Sequence, residues 1–158
     1  MAKIQKKLEQ HPVAKLFPAP NAVAFMRKPI FRAGKQKYPV VLFEGKDSSE
    51  EEQCAIFIDR MPEVEYWGRN LAQREHDSFF LQLYNRKFYP DFVVKLKNGR
   101  ILVVEYKGTD RYSNDDSKEK RIVGDFWAQN SNSQCLFVIT NGTNLSILKN
   151  IVGGKYAN

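Results

Sequence analysis

The sequence predicts an α/β fold, a mixed β-sheet core flanked by helices, and three observations carry that prediction. Asp91–Leu96 and Arg100–Tyr106, both rich in β-branched residues, flank Lys97-Asn98-Gly99, a strong hairpin signal. Stretches with helical spacing lie on either side of that hairpin, at 47–61 and at 116–129. A nearly all-apolar run, Gln134–Thr140, follows the second helix and reads as a strand at the centre of a sheet. Helix, three or so strands, helix and strand, in that order, describe a mixed sheet with helices on its faces.

Each element has its own signal. Tyr38–Phe43 reads as a strand entering the main body. Asp47-Ser48-Ser49-Glu50 starts the first helix with acidic residues in its first turn, and Pro62 stops it. Cys54, Ala55, Ile58 and Met61 form its apolar stripe. Val64–Trp67 begins the next strand, residues 70–77 are polar and read as a loop, and Phe79–Tyr84 reads as a strand. Asp116–Gln129 is predicted to be a helix burying Ile122, Val123, Phe126 and Trp127. Trp67, Trp127 and Phe57 are read as packing residues.

At 158 residues, 42% hydrophobic and 13% aromatic, the chain is long enough for one domain with a real core. No apolar run approaches the length of a membrane span, and the basic start leads into no secretory segment, so a cytoplasmic protein is expected. Cys54 and Cys135 sit in separate apolar runs and read as reduced core residues. Two cysteines and two histidines are too few for zinc or iron–sulfur sites, which leaves carboxylates, lysines and backbone to build a function. The net charge of +7 is uneven: residues 1–46 hold ten Lys or Arg against Glu9 and Glu44. With Pro12, Pro18, Pro20 and Pro29, that segment is expected to be a basic N-terminal arm or connector packing on the domain formed by 47–158. Such a surplus suits a polyanion such as nucleic acid, and equally a solvated basic face.

The chemistry is concentrated where two strands end. Glu105 and Lys107 are two apart, so they leave the strand on one face, in line with Ile101 and Val103. Charges continuing a core-facing stripe cost several kcal/mol unless they are paired or bind a metal. Whether Asp91 joins them depends on the hairpin loop. A two-residue loop, Asn98-Gly99, places Asp91 opposite Tyr106 and on the wrong face. A three-residue loop with Gly99 in the left-handed conformation places Asp91 opposite Glu105, with Cβ atoms roughly 4.5–5.5 Å apart. The three-residue loop is expected. Asp91 and Glu105 then form a natural site for a hard, oxygen-preferring cation, to which the backbone carbonyl of Tyr106 can add a ligand. Lys107 beside it can orient the attacking water or neutralise charge developing on a phosphate. The plainer reading pairs Asp91 with Lys107 at a strand end and leaves Glu105 in water.

On these residues the chain resembles the PD-(D/E)xK nuclease superfamily, in which a Pro-Asp, a hairpin and a Glu-x-Lys form the active site. More narrowly, it resembles the C-terminal endonuclease domain of type III restriction enzyme subunits and related helicase-nucleases. The matching stretches are Val64–Asn70, Phe88–Val94, Gly99–Gly108 and Glu119–Ala128, in order over about residues 50–140. The resemblance implies a restriction-endonuclease-like fold and a Mg²⁺-dependent DNA endonuclease, with Mn²⁺ able to substitute. Asp91, Glu105 and Lys107 are its catalytic residues. It adds a metal-binding glutamate on the preceding helix, for which Glu51 is favoured among Glu50, Glu51 and Glu52, with a plain acidic helix start as the alternative. It makes Lys118 and Lys120 DNA-binding candidates, against a solvated helix face. Arg69 and Asn70 either bind DNA or fix the strand end.

Implied partners are double-stranded DNA, an ATP-driven helicase domain, a methyltransferase or specificity subunit, and a second copy for double-strand cleavage. The chain has no Gly-x-x-x-x-Gly-Lys-Ser/Thr loop of its own, so it reads as an excised domain or a stand-alone relative. A repair or recombination nuclease and a non-cleaving DNA-binding module of the same fold are the alternatives.

Overall fold

The structure, a computed structural model, describes residues 48–70, 78–108 and 115–154. The arm at 1–46, the strand expected at 38–43 and most of the 70–77 loop lie outside the described residues. The elements run α1 (Ser48–Arg60), β1 (Val64–Arg69), β2 (Leu81–Gln82), β3 (Lys87–Phe88), β4 (Phe92–Leu96), β5 (Ile101–Tyr106), α2 (Asp115–Gln129), β6 (Cys135–Thr140) and α3 (Ile147–Val152). Four strands form a sheet in the order β1-β4-β5-β6, antiparallel except for the β5–β6 pair, which is parallel. Helices and a mixed sheet make this an α/β protein. No helix among the described residues is long and apolar enough to cross a membrane.

The sheet divides the core into two layers. On one face, Phe92, Val94, Leu96, Leu102 and Val104 pack with Cys54, Ala55 and Ile58 of α1 and Leu148 and Val152 of α3. On the other, Val93, Ile101, Val103, Phe137 and Ile139 pack with Trp127 of α2 and with Leu81 and Phe88 of the small hairpin. Alternation along each strand sorts the side chains, since successive residues point to opposite faces. A bulge between Val64 and Tyr66 breaks that alternation in β1, so Val64 and Trp67 reach the same layer although they are three apart.

Three expectations are corrected. Phe79–Tyr84 is not a strand of the main sheet: only Leu81–Gln82 is extended in a ladder, and it pairs with Lys87–Phe88 as a separate two-stranded hairpin. Strand β6 lies at the end of the four-strand order and β4 and β5 are central. It is apolar because α2 and α3 cover its two faces, a burial that a sequence does not distinguish from a central position. Helix α2 buries Ser117, Gly124 and Trp127, while Ile122 is 69% exposed. Gly124 sets the approach of that helix, because a Cβ there would come within 2.2 Å of the Phe137 ring. A buried face chosen for closeness holds small residues, which carry no hydrophobic signal. The short α3, opened by the turns after β6, had no counterpart in the sequence reading.

Candidate metal and phosphate site

The β4–β5 hairpin has the register of the three-residue loop. Phe92 pairs with Val104, Val93 with Val103 and Lys95 with Ile101, which sets Asp91 opposite Glu105. The loop closes as that geometry requires: Gly99 has φ +90°, its N–H donates to Leu96 O at 2.9 Å, and Leu96 N–H donates to Arg100 O at 2.9 Å. Since Leu96 and Arg100 are a hydrogen-bonded pair, alternation makes Asp91 and Glu105 a non-hydrogen-bonded pair, the kind whose side chains stand closer.

Pro90 ends the ladder at this point. The next rung would pair residue 90 with Tyr106, and proline has no N–H to donate to the Tyr106 carbonyl. The Tyr106 N–H is taken instead by Asp91 Oδ2 at 2.7 Å. Strand geometry turns the carbonyl of Tyr106 to the same edge as its N–H. The Tyr106 side chain goes to the other face, where its hydroxyl donates to Glu50 Oε2 at 2.9 Å and ties the first turn of α1 to the end of β5.

Asn70 clasps the Pro90–Asp91 corner from β1. Its backbone N–H donates to Asp91 O at 2.8 Å and its side-chain amide donates to Pro90 O at 2.8 Å and to Phe79 O at 2.7 Å. Its carbonyl accepts from Phe79 N–H at 2.9 Å. Of the two roles expected for Asn70, these contacts belong to fixing the strand end. Arg69 is ion-paired with Glu51 across the gap between β1 and α1.

Glu105 is 4% exposed, so it does not face water, and Asp91 and Lys107 do not form the pair of the plainer reading. Its Oε1 accepts from Lys107 Nζ at 3.0 Å and from Lys120 Nζ at 3.0 Å. Lys120 rises from α2 over the Phe88 ring, 4.7 Å from its centroid. Asp116, one turn earlier on α2, lies 3.1 Å from Lys120 Nζ and 3.6 Å from Lys107 Nζ. On its other side Asp116 Oδ1 accepts from Arg86 at 2.6 Å. Lys118 points away, 66% exposed and paired with Asp115 at 2.9 Å.

Electrostatics divide these acids. Burial, then the carboxylates of Glu105 and Glu51, push Asp91 well above its ordinary value of 3.8, and the Tyr106 N–H and Arg69 pull it only part of the way back. Burial also pushes Asp116 up, yet its contacts with Lys120, Arg86 and Lys107 hold it below the usual range. Burial pulls Lys120 down, and Glu105 and Asp116 more than offset that pull, so its ammonium is held more firmly than usual. Cys54, beneath the site, has its thiol pushed far up by burial and then by Asp91 and Glu51, which makes it an inert packing group. Both cysteines are free thiols.

Among the described residues no group of three or more His, Cys, Asp and Glu side chains is gathered as a metal cage. The donors that meet are two opposed carboxylates and a carbonyl edge, all oxygen. Asp91 is raised first by burial and then by its carboxylate neighbours, and a cation would relieve the second of these, so the all-oxygen set fits a hard cation that keeps most of its waters.

The sequence reading missed Asp116 and Arg86. The only available signal was the spacing of Asp116 and Lys120, one helical turn apart. No protein-family model matches this chain, and neither does any curated protein or any solved structure.

Proposed function

We propose that this chain is a magnesium-dependent deoxyribonuclease of the PD-(D/E)xK type, with a restriction-endonuclease-like fold, that cuts double-stranded DNA. The observation that supports it most is the hairpin register, which sets Asp91 opposite Glu105 with Lys107 on the same face. The family members it resembles suggest a setting beside an ATP-driven helicase domain and a methyltransferase or specificity subunit, with two copies acting on the two strands.

Asp91 and Glu105 would hold Mg²⁺ or Mn²⁺, with the Tyr106 carbonyl as a third oxygen and Glu51 as the neighbouring carboxylate. Bound there, the ion supplies polarisation of a phosphodiester and a more acidic water. The remaining work falls to the chain's own groups. Lys107, already 3.0 Å from Glu105, orients the attacking water and offsets charge growing on the phosphate. Lys120 draws a non-bridging phosphate oxygen to the same place. Arg69 keeps Glu51 turned toward Asp91, and Lys118 lies free of the centre to meet the DNA backbone farther along.

The test is cleavage of linear duplex DNA with and without Mg²⁺. Wild type should cleave only with the metal. Asp91→Asn and Glu105→Gln should each lose about a hundredfold or more while remaining folded by circular dichroism. Undiminished cleavage by either variant, or no magnesium-stimulated cleavage of duplex, flap or junction DNA by the wild type, rejects the proposal.

A further inference from the structure

Two ammonium groups share a single oxygen of Glu105, each 3.0 Å from Oε1. One carboxylate does not balance two cations brought so close, and the second negative charge comes from Asp116. The two oxygens of Asp116 are used differently. Oδ2 faces Lys120 at 3.1 Å and Lys107 at 3.6 Å, whereas Oδ1 accepts from Arg86 at 2.6 Å.

Arg86 has further contacts of its own. It stands at the turn of the small hairpin, where its carbonyl accepts from Leu83 N–H at 2.9 Å, and its guanidinium also reaches Glu119 at 3.0 Å. With Arg86 on one oxygen, the other oxygen is turned to the two ammonium groups. The run Arg86–Asp116–(Lys107, Lys120)–Glu105 therefore links the outer hairpin to the sheet face that carries the carboxylates.

We propose that Asp116, braced by Arg86, is a positioning residue that holds Lys107 and Lys120 together at Glu105, where both meet the reacting phosphate. This rests on the nuclease reading above. The ordinary use of an Asp at this place is to complement the positive end of a helix. Asp115 is available for that service in the same turn, 97% exposed and, among the described residues, paired with Lys118. The two residues thus carry equal charge at one helix end and differ in what they hold, which makes Asp115 the control.

The experiment compares the full chain as wild type, Asp115→Asn, Asp116→Asn, Asp116→Glu and Arg86→Gln. It measures kcat and KM on duplex DNA with Mg²⁺, and ¹H–¹⁵N signals of the lysine ammonium groups in the metal-free protein. Asp116→Asn should lower kcat about 10- to 100-fold with KM within about threefold, as for a slightly misplaced reacting group. Arg86→Gln should move kcat in the same direction by less, Asp116→Glu should recover part of the loss, and Asp115→Asn should match the wild type. The Lys107 and Lys120 ammonium signals, protected in wild type and Asp115→Asn, should be lost in Asp116→Asn.

A kcat within twofold of wild type, unchanged ammonium signals, or an equal loss in Asp115→Asn overturns the role of Asp116 alone. Should Asp116→Asn fail to fold, Arg86→Gln reads the same link from the hairpin side, and an unaltered kcat there overturns it as well. A wild type that cuts no DNA overturns the nuclease reading, and this role with it.

Discussion

The two faces of strands β4 and β5 share one backbone ladder and end in opposite ways. Beneath α1 and α3 the face is apolar along its length and finishes with Tyr106, whose only polar atom reaches out to Glu50. Beneath α2 it is apolar through Val93, Ile101 and Val103 and then turns into Asp91, Glu105 and Lys107. The faces are one residue apart in sequence, yet one stays apolar to its end and the other ends in paired charges. Both faces are apolar beneath their helices, and the cost of the charged end falls on Asp91, an acid whose ionisation the fold disfavours.

Substitutions on each face test that division. The largest stability effect belongs to the apolar face: Leu102→Ala, at a fully buried position, should cost about 2–5 kcal/mol in urea denaturation. Cleavage per folded molecule should be unchanged, and a loss comparable to that of Glu105→Gln would show that the faces are not separable. Next comes the turn that aligns them. Gly99→Ala forces an L-residue to φ +90° and should cost about 1–2 kcal/mol. A larger fall in activity than in stability would show that the loop sets the register on its own.

The smallest effect has the opposite sign. Asp91→Asn should raise stability by about 1 kcal/mol at neutral pH, as removal of a strained site group commonly does. Because the folded state holds the Asp91 proton more tightly than the unfolded chain, ionisation penalises the folded state. That penalty is absent below the ordinary value of 3.8 and grows as pH rises through the raised folded value. The advantage of the variant should accordingly vanish in thermal melts near pH 3. An advantage that persists there would place its origin outside the charge.

The hairpin was legible because its evidence is local: two alternating strands, a three-residue connection, and a glycine where only the left-handed conformation closes the loop. From that register the meeting of Asp91, Glu105 and Lys107 follows without knowledge of the rest of the fold. The contacts around them were not legible for the same reason. Arg86 meets Asp116 thirty positions away, and Lys120 meets Glu105 fifteen away across a crossover. No period in a sequence reports the distance between a helix and a separate hairpin. The buried face of α2 was misjudged at Ile122 because hydrophobicity was weighed and closeness was not. Strand β6 was misplaced because two covering helices and two flanking strands leave the same apolar signature.

Gly124 reaches further than packing. It lies one helical turn beyond Lys120 on the side of α2 pressed against Phe137, the same helix from which that lysine reaches Glu105. Every amino acid that a point substitution could place there brings a Cβ that the Phe137 ring must yield to. The position is thereby closed to gradual exploration: any side chain at 124 must displace the Phe137 ring or the helix that carries Lys120. A spacing set by the absence of an atom leaves evolution no smaller step to take.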